Sequence, residues 1–258
     1  MLKLGIKNLV CISLVVFALS SCDGLFKIDN YDGPNAEVTG GIYDEVTGQL
    51  VETDIRNGSN MQYQELGYPP GPMNRVIKQD GTYADLLFFA GKYSVDFKNC
   101  NFFPFFVPEI EVKKGKNVLD YRVTPYIRLR NVNIRREGNA IVATFNLEAG
   151  KSEVRLSNVT LYASTDMYVG DQYTGSYVYA PRGSAVQSFS PVKVIDPAET
   201  YTLRIDLTDA TNAAYFFKYT TVRNFYFRVG AIATVPGVPN LGTIRRNYAP
   251  YTIIPLSK

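Results

Sequence analysis

Val38 to Val51 reads VTGGIYDEVTGQLV. Two short strand-like pieces flank Asp44-Glu45-Val46-Thr47-Gly48. Gly48 can supply the positive φ that closes a tight turn, so the stretch predicts a strand, a turn and a second extended segment. Further turn signals follow at Asn57-Gly58, Pro69-Pro70-Gly71 and Asp80-Gly81. From Gly81 to Phe97 the pattern predicts two strands around a turn at Ala90-Gly91. Tyr93, Val95 and Phe97 alternate there with Lys92, Ser94 and Asp96, the period of a half-buried strand. Ile110 and Val112, then Val118 to Val123, complete a small all-β unit with no sustained helical period between 36 and 125.

Pro125 marks the predicted boundary, read as a hinge. Beyond it the alternation lengthens. Ile141, Ala143, Phe145 and Leu147 fall on one face of a strand, and Leu156, Val159, Leu161 and Ala163 belong to the next strand region. Tyr201, Leu203, Ile205 and Leu207 alternate with Thr202, Arg204 and Asp206. Phe225, Phe227, Val229 and Ala231 alternate with Tyr226, Arg228 and Gly230, and Tyr251 to Ile254 is the last expected strand. Such spacing over residues 126–258 predicts a second sandwich, of fibronectin/immunoglobulin type, without the cysteine pair or tryptophan of true immunoglobulin domains.

Upstream, MLKLGIKNLVCISLVVFALSSC carries Lys3 and Lys7 ahead of an apolar run from Leu9 to Leu19, too short to be read as a membrane span. Leu19-Ser20-Ser21-Cys22 resembles the bacterial lipobox. That pattern implies a signal peptide over 1–21, cleavage before Cys22 and a lipid on its thiol, so that the protein meets the membrane through Cys22. Residues 22–35 read as a tether, where Asp29, Asn30, Asp32 and Gly33 look like a calcium loop. The spacing fails that motif, with Ile28 at the first ligand position and Thr39 at the twelfth.

Composition excludes several chemistries. The 258 residues contain no histidine, which removes Ser-His-Asp and Cys-His catalysis, His-ligated zinc and the usual near-neutral proton shuttle. Beyond Cys22 only Cys100 remains, among aromatics in KNCNFFPFF, and reads as an inert buried thiol with no disulfide partner. The charge balance is near neutral with no basic run, so no nucleic-acid partner is expected. A carboxylate pair is the route to catalysis that remains. The acids sit in turns and at outward strand positions, Glu109 and Glu111 among them, so no catalytic residue, cofactor or metal is assigned.

Two aromatic-rich connections stand out, residues 56–75 and 165–183. In the second, Tyr168, Tyr173, Tyr177 and Tyr179 with Asp171 and Arg182 could stack on a sugar's C–H face and hydrogen-bond its hydroxyls. The bland reading makes Tyr177 to Tyr179 an irregular edge strand.

The pattern V-x-G-x-I-x-D-x-x-T-G at 38–48, with G-x-Y at 81–83 and G-x-Y-x-V at 91–95, resembles the carboxypeptidase-regulatory or transthyretin-like β-sandwich module. That module is non-catalytic wherever it occurs and would cover 36–125. With the lipobox, DNYDGPNA before the module and Val123 to Tyr126 after it, the chain resembles a family of Bacteroidota outer-membrane lipoproteins of uncharacterised function. The resemblance implies an all-β fold of two tandem sandwiches, transthyretin-like then fibronectin/immunoglobulin-like. It also implies an accessory role, lipid-anchored and cell-surface exposed, beside a starch-utilisation-type transporter and its glycan-binding lipoprotein partner. The ligand would be a polysaccharide or oligosaccharide. The alternative is a scaffolding subunit that binds the transporter complex rather than glycan.

Overall fold

The computed structural model describes residues 33–67, 71–171, 178–179 and 185–258, with the backbone alone at 178–179. Cys22, the expected signal segment and all but the end of the expected tether lie outside the described residues. The chain is nearly all β, built as two sandwiches in tandem.

The first sandwich uses β1 (Ala36–Asp44), β2 (Asn60–Glu65), β3 (Met73–Val76), β4 (Thr82–Phe88), β5 (Gly91–Phe97), β6 (Phe105–Val112), β7 (Gly115–Val118) and β8 (Tyr121–Val123). One sheet runs β4-β1-β7, with β8 also on β1, and the other runs β3-β2-β5-β6. The opening motif behaves as its chemistry demands. Gly48 has φ 68° and its N–H reaches Asp44 O at 2.8 Å. Asp44 accepts from the Val46 N–H and the Thr47 hydroxyl at 3.0 Å each, closing the turn from the side chain.

The expected pairing around Ala90-Gly91 is not a hairpin. β4 pairs with β1, while β5 pairs with β2 and β6. Phe88 and Tyr93 both point inward, their rings 4.9 Å apart, so the two strands face each other across the core. The Asn35 side chain accepts the Ala90 N–H at 2.8 Å and helps the chain cross between sheets. Residues 56–75 are likewise not one long connection. Asn60 to Tyr63 pair with Val76 to Met73, burying Met61 and Tyr63 while Gln62 and Gln64 take the other face.

The second sandwich sets β9 (Ile127–Glu137), β10 (Ala140–Ala149) and β14 (Thr200–Asp206) against a six-stranded sheet. That sheet holds β11 (Arg155–Ser164), β12 (Val178–Tyr179), β13 (Val186–Val194), β15 (Arg223–Thr234), β16 (Asn247–Tyr248) and β17 (Thr252–Leu256). The alternating residues of β10, β11, β14 and β15 fill one continuous core between the sheets. Among the described residues the only helix is α1 (Ala210–Phe216), which Asp209 caps by accepting from the Thr211 and Asn212 N–H groups. Phe216 enters the core, whereas Tyr219 is 46 % exposed under the Arg223 guanidinium.

The core of the first sandwich ends at Val123 and that of the second begins at Tyr126. The chain between them is tied by backbone hydrogen bonds on both sides of Pro125. Phe103 N–H donates to Thr124 O, Tyr126 N–H to Asn101 O, and Gly150 N–H to Tyr126 O, each within 3.0 Å.

Candidate functional site

The faces of the sandwiches that are not core decide how the two halves meet. On β15 the residues opposite the core face include Arg228, and this arginine is fully buried. A buried guanidinium is tolerated only when every N–H finds an acceptor. Here all five do. Nε donates to Ala249 O at 2.8 Å, and Nη1 to Thr53 O at 2.9 Å and Val169 O at 3.2 Å. Nη2 donates to Gln79 O at 3.4 Å and forms an ion pair with Glu52. Three of the acceptors come from the first sandwich and two from the second. The cation also lies 4.3 Å from the centre of the Tyr248 ring. Burial raises the Glu52 carboxyl above its usual range, against the attraction of Arg228, and lowers the Arg228 guanidinium from its own.

Around Arg228 the interface continues as hydrogen bonds. Asn101, fully buried, donates to Glu52 O at 2.7 Å, and its own carbonyl accepts from the Asn247 amide at 2.7 Å. Asn247 then accepts the Ile127 N–H at 3.1 Å. Cys100 lies beside this seam, and burial pushes its thiol up to about 12, so at neutral pH it is no nucleophile.

A second arginine crosses at the rim. Arg128 on β9 grips Asp44 with both ends of its fork, Nε at 2.6 Å and Nη2 at 2.8 Å, and its Nη1 lies 3.3 Å from Glu148. Burial would raise Asp44, but the hydrogen bonds from Arg128, Val46 and Thr47 outweigh it and hold the carboxyl below its usual range. The motif aspartate thus shapes its own turn and ties the sandwiches together.

Beside this pair a groove of about 540 Å³ opens between the halves. One wall is the turn 43–52 of the first sandwich. The other is Ile127 to Arg130 with Asn247 to Pro250. Tyr43 and Leu50 offer apolar surface, while Gln49, Glu52, Asp80 and Arg130 bring donors and acceptors. That mix suits an uncharged polyhydroxylated ligand. Among the described residues no group of three His, Cys, Asp or Glu side chains is placed to hold a metal.

The sequence-expected loop begins on the same interface. Gln79 donates to Met167 O at 2.7 Å, Val169 is buried, and a Cβ on Gly170 would lie 1.9 Å from Asp54 Oδ2. Only glycine lets the loop approach so closely. Asp171 donates its N–H to Asp54 at 2.8 Å and to the Tyr248 hydroxyl at 2.9 Å. Its carboxylate accepts from the Tyr162 hydroxyl at 2.7 Å, and Arg246 stands 3.5 Å away. Tyr168 is 43 % exposed. The Tyr179 backbone pairs with Ala163 as β12, while Tyr173, Tyr177 and Arg182 lie outside the described residues. The structure therefore brings Asp171 to the interface and leaves Tyr168 open to solvent. The groove was missed in the sequence because Asp44 and Arg128 lie 84 residues apart, and Glu52 and Arg228 176 apart.

Residues 127–240 match DUF3823_C, a domain of unknown function. A solved structure of a candidate carbohydrate-binding protein from Bacteroides uniformis is 42% identical, covering 87% of this chain and 100% of that one with a TM-score of 0.77. The second sandwich thus carries the DUF3823 C-terminal domain. A DUF3823 family protein from Parabacteroides merdae superposes with a TM-score of 0.63 at 22% identity, covering 86% of this chain and 100% of that one. One from Bacteroides ovatus gives 0.61 at 20% identity, over 84% and 97%. These two share the fold. No curated protein matches the chain.

Proposed function

We propose that this protein is a non-catalytic glycan-binding lipoprotein, anchored through Cys22 in the outer membrane and accessory to a polysaccharide uptake system at the cell surface. The observation that carries the glycan reading is the 42% identity, over 87% of the chain, to the Bacteroides uniformis protein solved as a candidate carbohydrate binder. The interdomain groove supports it. Tyr43 offers a ring against which a pyranose can rest, with Gln49, Arg130 and Asp80 within the same groove to meet its hydroxyls. Tyr168 is exposed on the neighbouring loop, and Tyr173, Tyr177, Tyr179 and Arg182 of the same stretch are its further candidate ligand residues. The lipobox-like Leu19 to Cys22 supports the anchor.

Calorimetry of the chain lacking its first 22 residues, against a panel of plant and host polysaccharides, tests the reading. Binding that Tyr43→Ala loses places the glycan in the groove, and binding that Tyr173→Ala or Tyr177→Ala loses places it on the loop. Silence across the panel sinks the glycan reading and leaves the scaffolding role, to be sought by pull-down of a transporter from the outer membrane.

A further inference from the structure

The point where the chain enters the first sandwich carries a surface that glycan binding does not use. Asn35 is held from both sides there. Its N–H donates to Phe88 O at 3.0 Å, its side chain accepts the Ala90 N–H, and its carbonyl accepts the Gly115 N–H at 2.9 Å. The end of β4 and the start of β7 thus flank the place where the tether arrives.

On the β4 side the register slips between Ala36 and Val38, a bulge at the edge of the sheet. A bulge breaks the inward–outward alternation, so two successive residues can face out. Leu86 is 62 % exposed and Leu87 74 %, and Phe89 just beyond is 43 % exposed. A cleft of about 220 Å³ between Leu87, Phe89 and Met73 continues the apolar surface. On the β7 side, Lys113, Lys114 and Lys116 are exposed, and none makes an ion pair among the described residues. Of the acids nearby, Glu109 on β6 is bonded to Lys92 at 2.6 Å, Glu37 stands in register with Lys116, and Glu111 is exposed.

Large exposed apolar side chains beside unpaired lysines, at the end of a chain that would carry lipid, form the signature of a surface resting on a bilayer. We infer that Leu86, Leu87 and Phe89, with Lys113, Lys114 and Lys116, dock the first sandwich on an anionic lipid surface. The occupant is set by reach and charge. Even fully extended, residues 22–34 span at most about 45 Å, so a lipid at Cys22 keeps this end of the molecule within reach of the headgroups. Three lysines there attract headgroup phosphate, while the apolar trio enters the acyl boundary. Docking would turn the sandwich from a freely tethered body into one with a fixed orientation. The inference rests on the anchor at Cys22 proposed above.

The test uses the full chain in vesicles of phosphatidylcholine with phosphatidylglycerol, some carrying brominated acyl chains. Leu87→Cys, Phe89→Cys and, in the second sandwich, Asn139→Cys are each labelled with a thiol-reactive fluorophore, to which buried Cys100 is inert. Quenching severalfold stronger at 87 and 89 than at 139 is expected. Combined Lys113→Glu, Lys114→Glu and Lys116→Glu should remove most of that excess in anionic vesicles and change nothing in phosphatidylcholine alone. Equal quenching at all three positions overturns the inference. Protection of Leu87→Cys in cell membranes without quenching in vesicles also overturns it, assigning the face to a protein partner. The intact mass decides the anchor separately, because an unmodified Cys22 sinks that reading whatever the labels report.

Discussion

Arg128 and Arg228 both reach from the second sandwich into the first, and they hold it in different ways. Arg128 spends its fork on a carboxylate and touches a second one, with its side chain 6 % exposed at the edge of the groove. Arg228 is fully sealed and spends four of its five donors on backbone carbonyls, with one carboxylate beside them. Side-chain pairs can rearrange when one partner is lost, but backbone carbonyls belonging to folded strands and turns cannot. The comparison teaches that Arg228 is the fastener and Arg128 the trim. A buried cation with every donor used is a poor candidate for ligand binding, whereas the rim pair stands beside a groove whose lining Arg130, held by Glu148 at 2.9 Å, is 38 % exposed and can still turn a donor to a ligand.

The largest effect should come from Arg228→Ala, which strands four carbonyls in the sealed interface and leaves Glu52 at the groove edge without its partner. A loss of about 3–5 kcal/mol in denaturant unfolding is expected. A loss below about 1 kcal/mol would break the ranking. Asp44→Ala should cost less, about 1.5–3 kcal/mol, because Arg128 retains Glu148 while the turn loses its side-chain acceptor. Gly170→Ala presses a methyl onto the Asp54 carboxylate and should lower stability by about 1–3 kcal/mol, read as a drop in thermal midpoint with the fold unchanged by circular dichroism.

The smallest and most discriminating test is pH dependence. Asp44 is depressed in the fold, so its contribution is present above its ordinary value of 3.8 and lost as pH falls through the lower folded value. Glu52 is raised, so its contribution is present below its ordinary value of 4.5 and lost as pH rises through the higher folded value. Stability measured against pH should therefore lose its acid limb in part with Asp44→Asn, and lose a decline above pH 4.5 with Glu52→Gln. The same change in slope from both variants would show that the two pairs do not differ as described.

The strands were legible wherever one face is apolar and the other polar. Tyr93 to Phe97, Ile141 to Leu147 and Tyr201 to Ile205 lie in strands, because alternation is a local property that burial on one side imposes. β9 went unread, since Arg128, Arg130, Arg135 and Arg136 crowd its apolar residues and conceal the period. Residues 60–65 read as part of a connection because only Met61 and Tyr63 alternate with Gln62 and Gln64, and the turn formers around them outweigh so short an alternation.

What the sequence determined by itself is the all-β class, the Asp44 to Gly48 turn and the change of core near Pro125, each a matter of neighbours within a few residues. Only the tertiary structure decided what the outer faces are for. In the alternation of β15 Arg228 takes the place of an ordinary outward residue, and Asp44 reads as a turn former. Each becomes an interdomain contact because the partner lies on a strand or turn far away in sequence, and periodicity reports which way a side chain points but not what the fold brings to meet it.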